Sequence, residues 1–189
     1  MKPTMSSDAI GLHDGEMSAA LLNLGCGRKY IAGAVNLDCT PDTQPDVVHN
    51  LNLAPWPFAD NRFSEIQGFD VIEHLQDIVC AMEEIHRISR PGALVRLTVP
   101  HFSCSNAYTD PTHRHYFGFF SFDYFTQESE LSFYSRARFR RRSARLVFYP
   151  TLLSKLIWRL ANRYPEAYER RWAWMFPAWY LHFELEVVK

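Results

Sequence analysis

The chain has 189 residues, 47% of them hydrophobic and 15% aromatic, with a formal net charge of −1. That composition supports one globular domain with a sizeable core and excludes a disordered chain. No apolar run approaches the roughly 18 residues that span a bilayer, and the first residues hold no hydrophobic signal segment, so a cytoplasmic location is expected.

Residues 1–18 are polar and unpatterned and read as a flexible leader; residues 19–189 read as a single domain. Short β-type runs then recur at Leu21–Leu24, Ala34–Leu37, Asp46–Val48, Phe63–Ile66 and Leu94–Val99. Between the last two, Ile78, Met82, Ile85 and Ile88 recur at helical spacing, predicting a helix over about 76–90, with Glu83 and Glu84 placed to pair with Arg87. Pro91-Gly92 is its expected stop. Two early links, 28–33 and 39–45, are too short or too rich in proline for a full crossover helix, which normally takes at least about 10 residues. One side of the sheet is therefore expected to be thinly covered unless the aromatic C-terminal region, or a second copy in a homodimer, packs on it.

Residues 100–130, HFSCSNAYTDPTHRHYFGFFSFDYF at their core, are dense in histidine and aromatics and lack a clean period, as a long functional loop does. Two strands and an intervening helical stretch at about 151–175 fill residues 131–189. In the last strand, Tyr180, His182, Glu184 and Glu186 alternate with Leu181, Phe183, Leu185 and Val187, so one face is wet and one buried. The fold class is α/β: a mostly parallel, Rossmann-like sheet with shortened early crossovers and an antiparallel C-terminal strand.

Gly25-Cys26-Gly27, Asp38, Asn50, Gly68-Phe69 and His101 each follow one of the first five strands. In an open α/β sheet ligands bind outside the carboxyl ends, so five consecutive placements outweigh any single motif. The loop lacks a GxxxxGK[ST] phosphate cradle, and Tyr30 stands where the dinucleotide fingerprint needs glycine, which disfavours nucleoside triphosphates and NAD. Asp38 still suits the two hydroxyls of a ribose.

The series LNLGCG, GAVNLD, DVVHNL, PWPFADNRFSEI, DVIEHL and EEIHRISRPGALVRLTVP resembles the class I S-adenosylmethionine-dependent methyltransferases, over about residues 20–100. It is most similar to a small bacterial group with a brief GxxNxD link. The resemblance implies that Gly25, Cys26 and Gly27 pass under the methionine part of S-adenosylmethionine and that Asp38 holds its ribose. It further implies Asn50 and Leu51 beside the adenine, and Gly68 and Phe69 flanking the methyl group. Arg28-Lys29 departs from the wider class, where a third glycine is common. The expected activity is methyl transfer to oxygen on a sugar or another small polar, sugar-linked or anionic acceptor. A binding or scaffolding module with a degenerate nucleoside pocket and a nucleotide-dependent oxidoreductase are the alternatives.

A hydroxyl acceptor needs a base, and His101, Asp110 and His113 are the candidates, with His115 nearby. The HxxH and HxH spacings of a tight zinc or iron site are only partly met, so no metal is expected. Glu73-His74 opens a helical turn and reads as structural as readily as chemical. Cys26, Cys39, Cys80 and Cys104 fit no CxxC pattern and read as reduced thiols. Residues 1–95 carry 6 basic against 13 acidic side chains, and residues 96–189 carry 14 against 8. The basic half includes Arg136, Arg138, Arg140, Arg141, Arg142 and Arg145, which suit a solvated edge strand, an anionic acceptor or, with nearby tryptophans, peripheral contact with an anionic membrane. No nucleic-acid recognition module is present.

Overall fold

The computed structural model describes residues 20–150 and 154–189; the expected leader lies outside them. One seven-stranded sheet runs in the order β3-β2-β1-β4-β5-β7-β6. Strands β1 (Leu21–Leu24), β2 (Val35–Asp38), β3 (Val47–Val48), β4 (Phe63–Phe69) and β5 (Ser89–Pro100) are mutually parallel. Strand β7 (Tyr180–Val187) lies antiparallel between β5 and β6 (Phe139–Val147), matching the expected reversal at the C-terminus.

Helix α1 (Ile78–Ile88) connects β4 to β5 and buries Ala81, Met82, Ile85 and Ile88. The Asp77 carboxylate caps it by accepting the Cys80 amide. It stops before the expected Pro91-Gly92, because Ser89 donates both its amide and its hydroxyl to the Ile85 carbonyl and the chain turns directly into β5. Pro91-Gly92 instead lies in an irregular stretch of β5, where the register with β4 jumps from Phe63–Ser89 to Glu65–Leu94. Gly92 takes φ +76° there. Glu84 pairs with Arg87 at 2.7 Å as expected, whereas Glu83 turns away to accept from Ser135 and Arg136.

The link from β1 to β2 holds no helix, and that from β2 to β3 holds a single 3-10 turn at Pro41–Thr43. The sheet tolerates such thin cover because its two faces differ chemically. Leu22, Leu24, Leu37, Ile66, Val95, Leu97, Phe183 and Leu185 project into one apolar core and are essentially inaccessible. On the other face, register aligns Asn36, Asn23, Gln67, Arg96, Glu184 and Ser143 in a row across six strands. Arg96 bridges Glu65 and Glu184 within that face, so it needs no apolar cover.

Residues 100–130 form a folded segment rather than an open loop. Phe117, Phe119, Phe122 and Phe125 are buried in the main core, and a helical turn, α2 (Asn106–Thr109), precedes them. Helices α3 (Ser154–Arg163) and α4 (Pro165–Arg171) extend the same core through Ala161 and Tyr168; the first residues of the stretch predicted from 151 lie outside the described ones.

Candidate functional site

Strand β1 ends in a turn that needs two left-handed residues, Gly25 at φ +57° and Gly27 at φ +48°. The two glycines serve different ends. A Cβ on Gly25 would collide with Val71, whose own Cβ would lie 2.8 Å away, so Gly25 lets the loop pack on the segment after β4. A Cβ on Gly27 would meet nothing within 4 Å, so this glycine faces open space. Cys26, 2% exposed, donates its amide to the Leu37 carbonyl and pins the loop to β2.

Asp38 closes β2 and is 9% exposed. One carboxylate oxygen accepts the Gly27 amide at 2.8 Å and the other the Thr40 amide at 3.1 Å. Each oxygen keeps a further lone pair, so the carboxylate is fixed in place and still able to accept two hydroxyls. Below it, Asn36 accepts from Asn23 and from the Ile31 amide and reaches Asp46, which holds the brief 28–34 link in shape.

Asn50 is exposed and uses its side chain to accept the Asn52 amide, while Leu51 is buried and its carbonyl accepts the Trp56 indole N–H. Gly68 and Phe69 fall on opposite faces of β4, as neighbours in a strand must. Gly68 packs on Leu97 and Val71 in the core, and Phe69 lines a 250 Å³ recess with Thr98 and His182 on the polar face. Gly68 and Phe69 thus lie within β4 and not after it, and the residue that follows the strand is Asp70, in the left-handed region at φ +59°. It accepts from Thr98 and forms an ion pair with Lys29 of the glycine loop at 3.1 Å. Sequence reasoning missed this residue; an acidic side chain directly after the fourth strand was the available signal.

Asp70 also lines a second cleft of about 540 Å³ with Glu73, His74, Asn106, Asp110, His113 and Tyr180. Glu73 is 1% exposed, and neither carboxylate oxygen has a hydrogen-bond partner among the described residues. Burial pushes its carboxyl up to about 7. His113 Nε2 lies 4.0 Å from Glu73 Oε1, while its Nδ1 donates to the Ala107 carbonyl. Asp110 accepts both the amide and the hydroxyl of Thr112, and these bonds hold its carboxyl below the usual range. Two of the three candidate bases, Asp110 and His113, therefore meet at one cleft.

His101 does not join them. It is fully buried, its Nδ1 bonded to Ser103 and its Nε2 facing Glu169 at 3.1 Å. Because the Ser103 amide donates to Nδ1, the proton sits on Nε2 and is given to Glu169, which also accepts the Phe119 amide. In this form His101 ties the end of β5 to α4 and is closed to an acceptor. His115 is likewise committed, to the Leu75 carbonyl. The arginine run is an edge strand: Arg140 and Arg142 pair with Glu186 and Arg141 with Asp123.

No protein-family model and no curated protein matches the chain. Solved structures do. An S-adenosylmethionine-dependent methyltransferase from Archaeoglobus fulgidus superposes with a TM-score of 0.61 at 13% identity, over 88% of this chain and 85% of that one. The fold is that of the class I methyltransferases. A Mesorhizobium loti S-adenosylmethionine-dependent methyltransferase gives 0.54 at 13% identity, over 88% and 89%. The same fold is shared with the cyclase SpnF, at 0.55 and 14% identity over 89% and 75%, so fold alone leaves the reaction to be argued from the site. Both methyltransferases are S-adenosylmethionine-dependent, and the residues at the ends of β1, β2 and β4 can be tested against that molecule. Asp38 offers two spare acceptor positions, Gly27 faces open space, and Lys29 and Asp70 present opposite charges suited to a carboxylate and to a cationic sulfonium.

Proposed function

We propose that the protein is an S-adenosylmethionine-dependent methyltransferase acting on oxygen of a small polar, sugar-linked or anionic acceptor. The observation that carries this reading is Asp38, held by the Gly27 and Thr40 amides at the carboxyl end of β2 on a methyltransferase fold. In this reading Asp38 binds the ribose, with Gly25, Cys26 and Gly27 beneath the methionine part and Asn50 and Leu51 toward the adenine. Lys29 takes the methionine carboxylate, and Asp70, in place of Gly68 and Phe69, faces the cationic end.

The cofactor supplies a methyl carbon activated by its sulfonium, so the protein's work is alignment, exclusion of water and removal of a proton. Asp70 lines the cleft and pairs with Lys29 of the glycine loop, which supports an acceptor site beside that loop. In this reading an acceptor hydroxyl bound in the cleft would lose its proton to His113 Nε2, with Glu73 behind it. Asp110 shapes the turn that presents His113.

No helix among the described residues is long and apolar enough to cross a membrane. Peripheral contact falls on α3, α4 and the turn after them, where Trp158, Trp172 and Trp174 are exposed beside Arg159, Arg163 and Arg171.

The test is transfer of label from methyl-tritiated S-adenosylmethionine into the small-molecule fraction of a cell extract. Label is expected in that fraction and is lost with His113→Ala; label entering protein or nucleic acid instead overturns the acceptor class.

A further inference from the structure

Glu73, His74 and His113 each bring one ligand atom to a common point, all within 4.8 Å of one another, on the wall of the acceptor cleft. The spacing rules of a metal site did not find this set, because Glu73 and His74 come from the turn after β4 and His113 from the segment after β5.

The hydrogen bonds of the two histidines each use Nδ1 and leave Nε2 as the free lone pair. The His113 Nδ1–H is given to a carbonyl, that of Ala107, which can only accept, so the neutral ring keeps its lone pair on Nε2, the atom facing Glu73. His74 Nδ1 meets Thr112 Oγ1 at 2.8 Å, and that hydroxyl spends its proton on Asp110 Oδ1 at 2.7 Å. Thr112 therefore accepts from His74, and His74 too keeps its lone pair on Nε2. This is how metal-ligating histidines are ordinarily oriented, with the outer N–H fixed by a carbonyl or a carboxylate relay.

Glu73 supplies the second, independent observation. A buried carboxyl group, 1% exposed and with neither oxygen hydrogen-bonded among the described residues, is costly to keep charged unless a cation stands beside it, and its open side faces the two imidazoles. The two imidazoles stand edge to face with centroids 4.7 Å apart, so a small inward shift of the rings closes the set around one ion.

We propose that Glu73, His74 and His113 bind a divalent first-row transition metal, zinc above the others, in a two-histidine, one-carboxylate site open toward the cleft. Two nitrogens and one oxygen suit zinc, iron or cobalt better than magnesium or calcium, and three protein ligands leave a position for an outside oxygen. If the methyltransferase reading holds, that position would receive the acceptor hydroxyl, and with metal bound His113 Nε2 would serve as a ligand in place of its role as base, the hydroxyl proton passing to water as the ion lowers its pKa. The binding of metal does not depend on that reading.

The test uses the full chain, stripped with chelator and dialysed, then titrated with Zn²⁺ by calorimetry and with Co²⁺ by absorption. One ion per chain is expected, with cobalt d–d bands and no thiolate charge-transfer band, since the four cysteines are not ligands. His113→Ala and the near-isosteric Glu73→Gln should each weaken Zn²⁺ by about tenfold or more, and His182→Ala on the polar face should not. Absence of stoichiometric binding, a thiolate band, or undiminished affinity in both Glu73→Gln and His113→Ala would overturn the site. S-adenosylhomocysteine affinity, measured on the same samples, tests the methyltransferase reading separately, its absence overturning that reading and not the metal site.

Discussion

Lys29 Nζ lies 3.1 Å from Asp70 Oδ2, joining the glycine loop after β1 to the residue that follows β4. The lysine side chain is 71% exposed, so the pair adds at most about 1 kcal/mol to stability, and its value lies in where it puts two opposite charges. Asp70→Asn should weaken S-adenosylmethionine about tenfold while weakening S-adenosylhomocysteine, which lacks the sulfonium charge, by less. Lys29→Ala should weaken both alike through the shared carboxylate. Calorimetric affinities for the two ligands decide it; equal losses in Asp70→Asn would remove Asp70 from the cationic end.

Gly25 and Gly27 are separable by stability. An alanine at Gly25 pays for left-handed backbone and for collision with Val71, together about 2–4 kcal/mol, whereas Gly27→Ala meets open space and loses only about 1–2 kcal/mol. Denaturant titration of the two variants should show that order. Gly27→Ala should still lose ligand affinity, because its Cβ enters the space left for the cofactor.

The two histidines assigned different fates should behave differently. His101→Ala leaves the buried Ser103 and the half-buried Glu169 without their shared partner, costing about 1–3 kcal/mol, with kcat of the folded protein changed little. His113→Ala should lower kcat about 10²-fold with S-adenosylhomocysteine affinity unchanged. A large kcat loss in well-folded His101→Ala protein would return that residue to the acceptor site.

Asp46 governs acid sensitivity near the cofactor loop. Burial opposes its charge, yet bonds from the Asn36 amide, the Asn36 side chain and the Tyr30 hydroxyl outweigh it and hold the carboxyl below its ordinary value. A folded-state pKa below the unfolded one contributes stability at neutral pH that is lost as pH falls through the folded value. Asp46→Asn should therefore be less stable than the parent at pH 7, with the gap closing below about pH 4, the ordinary carboxylate range. A gap constant from pH 7 to pH 3 in thermal melts would contradict this.

The sheet was legible because its signals are local. Apolar runs ending in glycine or aspartate marked β1, β2 and β4, and the alternation in 180–187 marked β7 with its wet face. The helix stop was misplaced because a serine side chain, Ser89, closed α1 before the proline and glycine could. Glu73 and His113 were harder to join, since their meeting depends on Arg114 and His115 donating their amides to the Glu73 carbonyl across some forty residues of sequence. His101 was legible by position but not by environment: only the fold shows Glu169, sixty-eight residues away, closing over it.

Affinity for S-adenosylhomocysteine in the parent and in Asp38→Ala tests the central claim most directly. Calorimetry on the full chain should give one site per chain, with affinity reduced at least about tenfold in Asp38→Ala as two ribose hydrogen bonds to a charged group are lost. Equal affinity in the two proteins, or binding of NAD in place of S-adenosylhomocysteine, would contradict it.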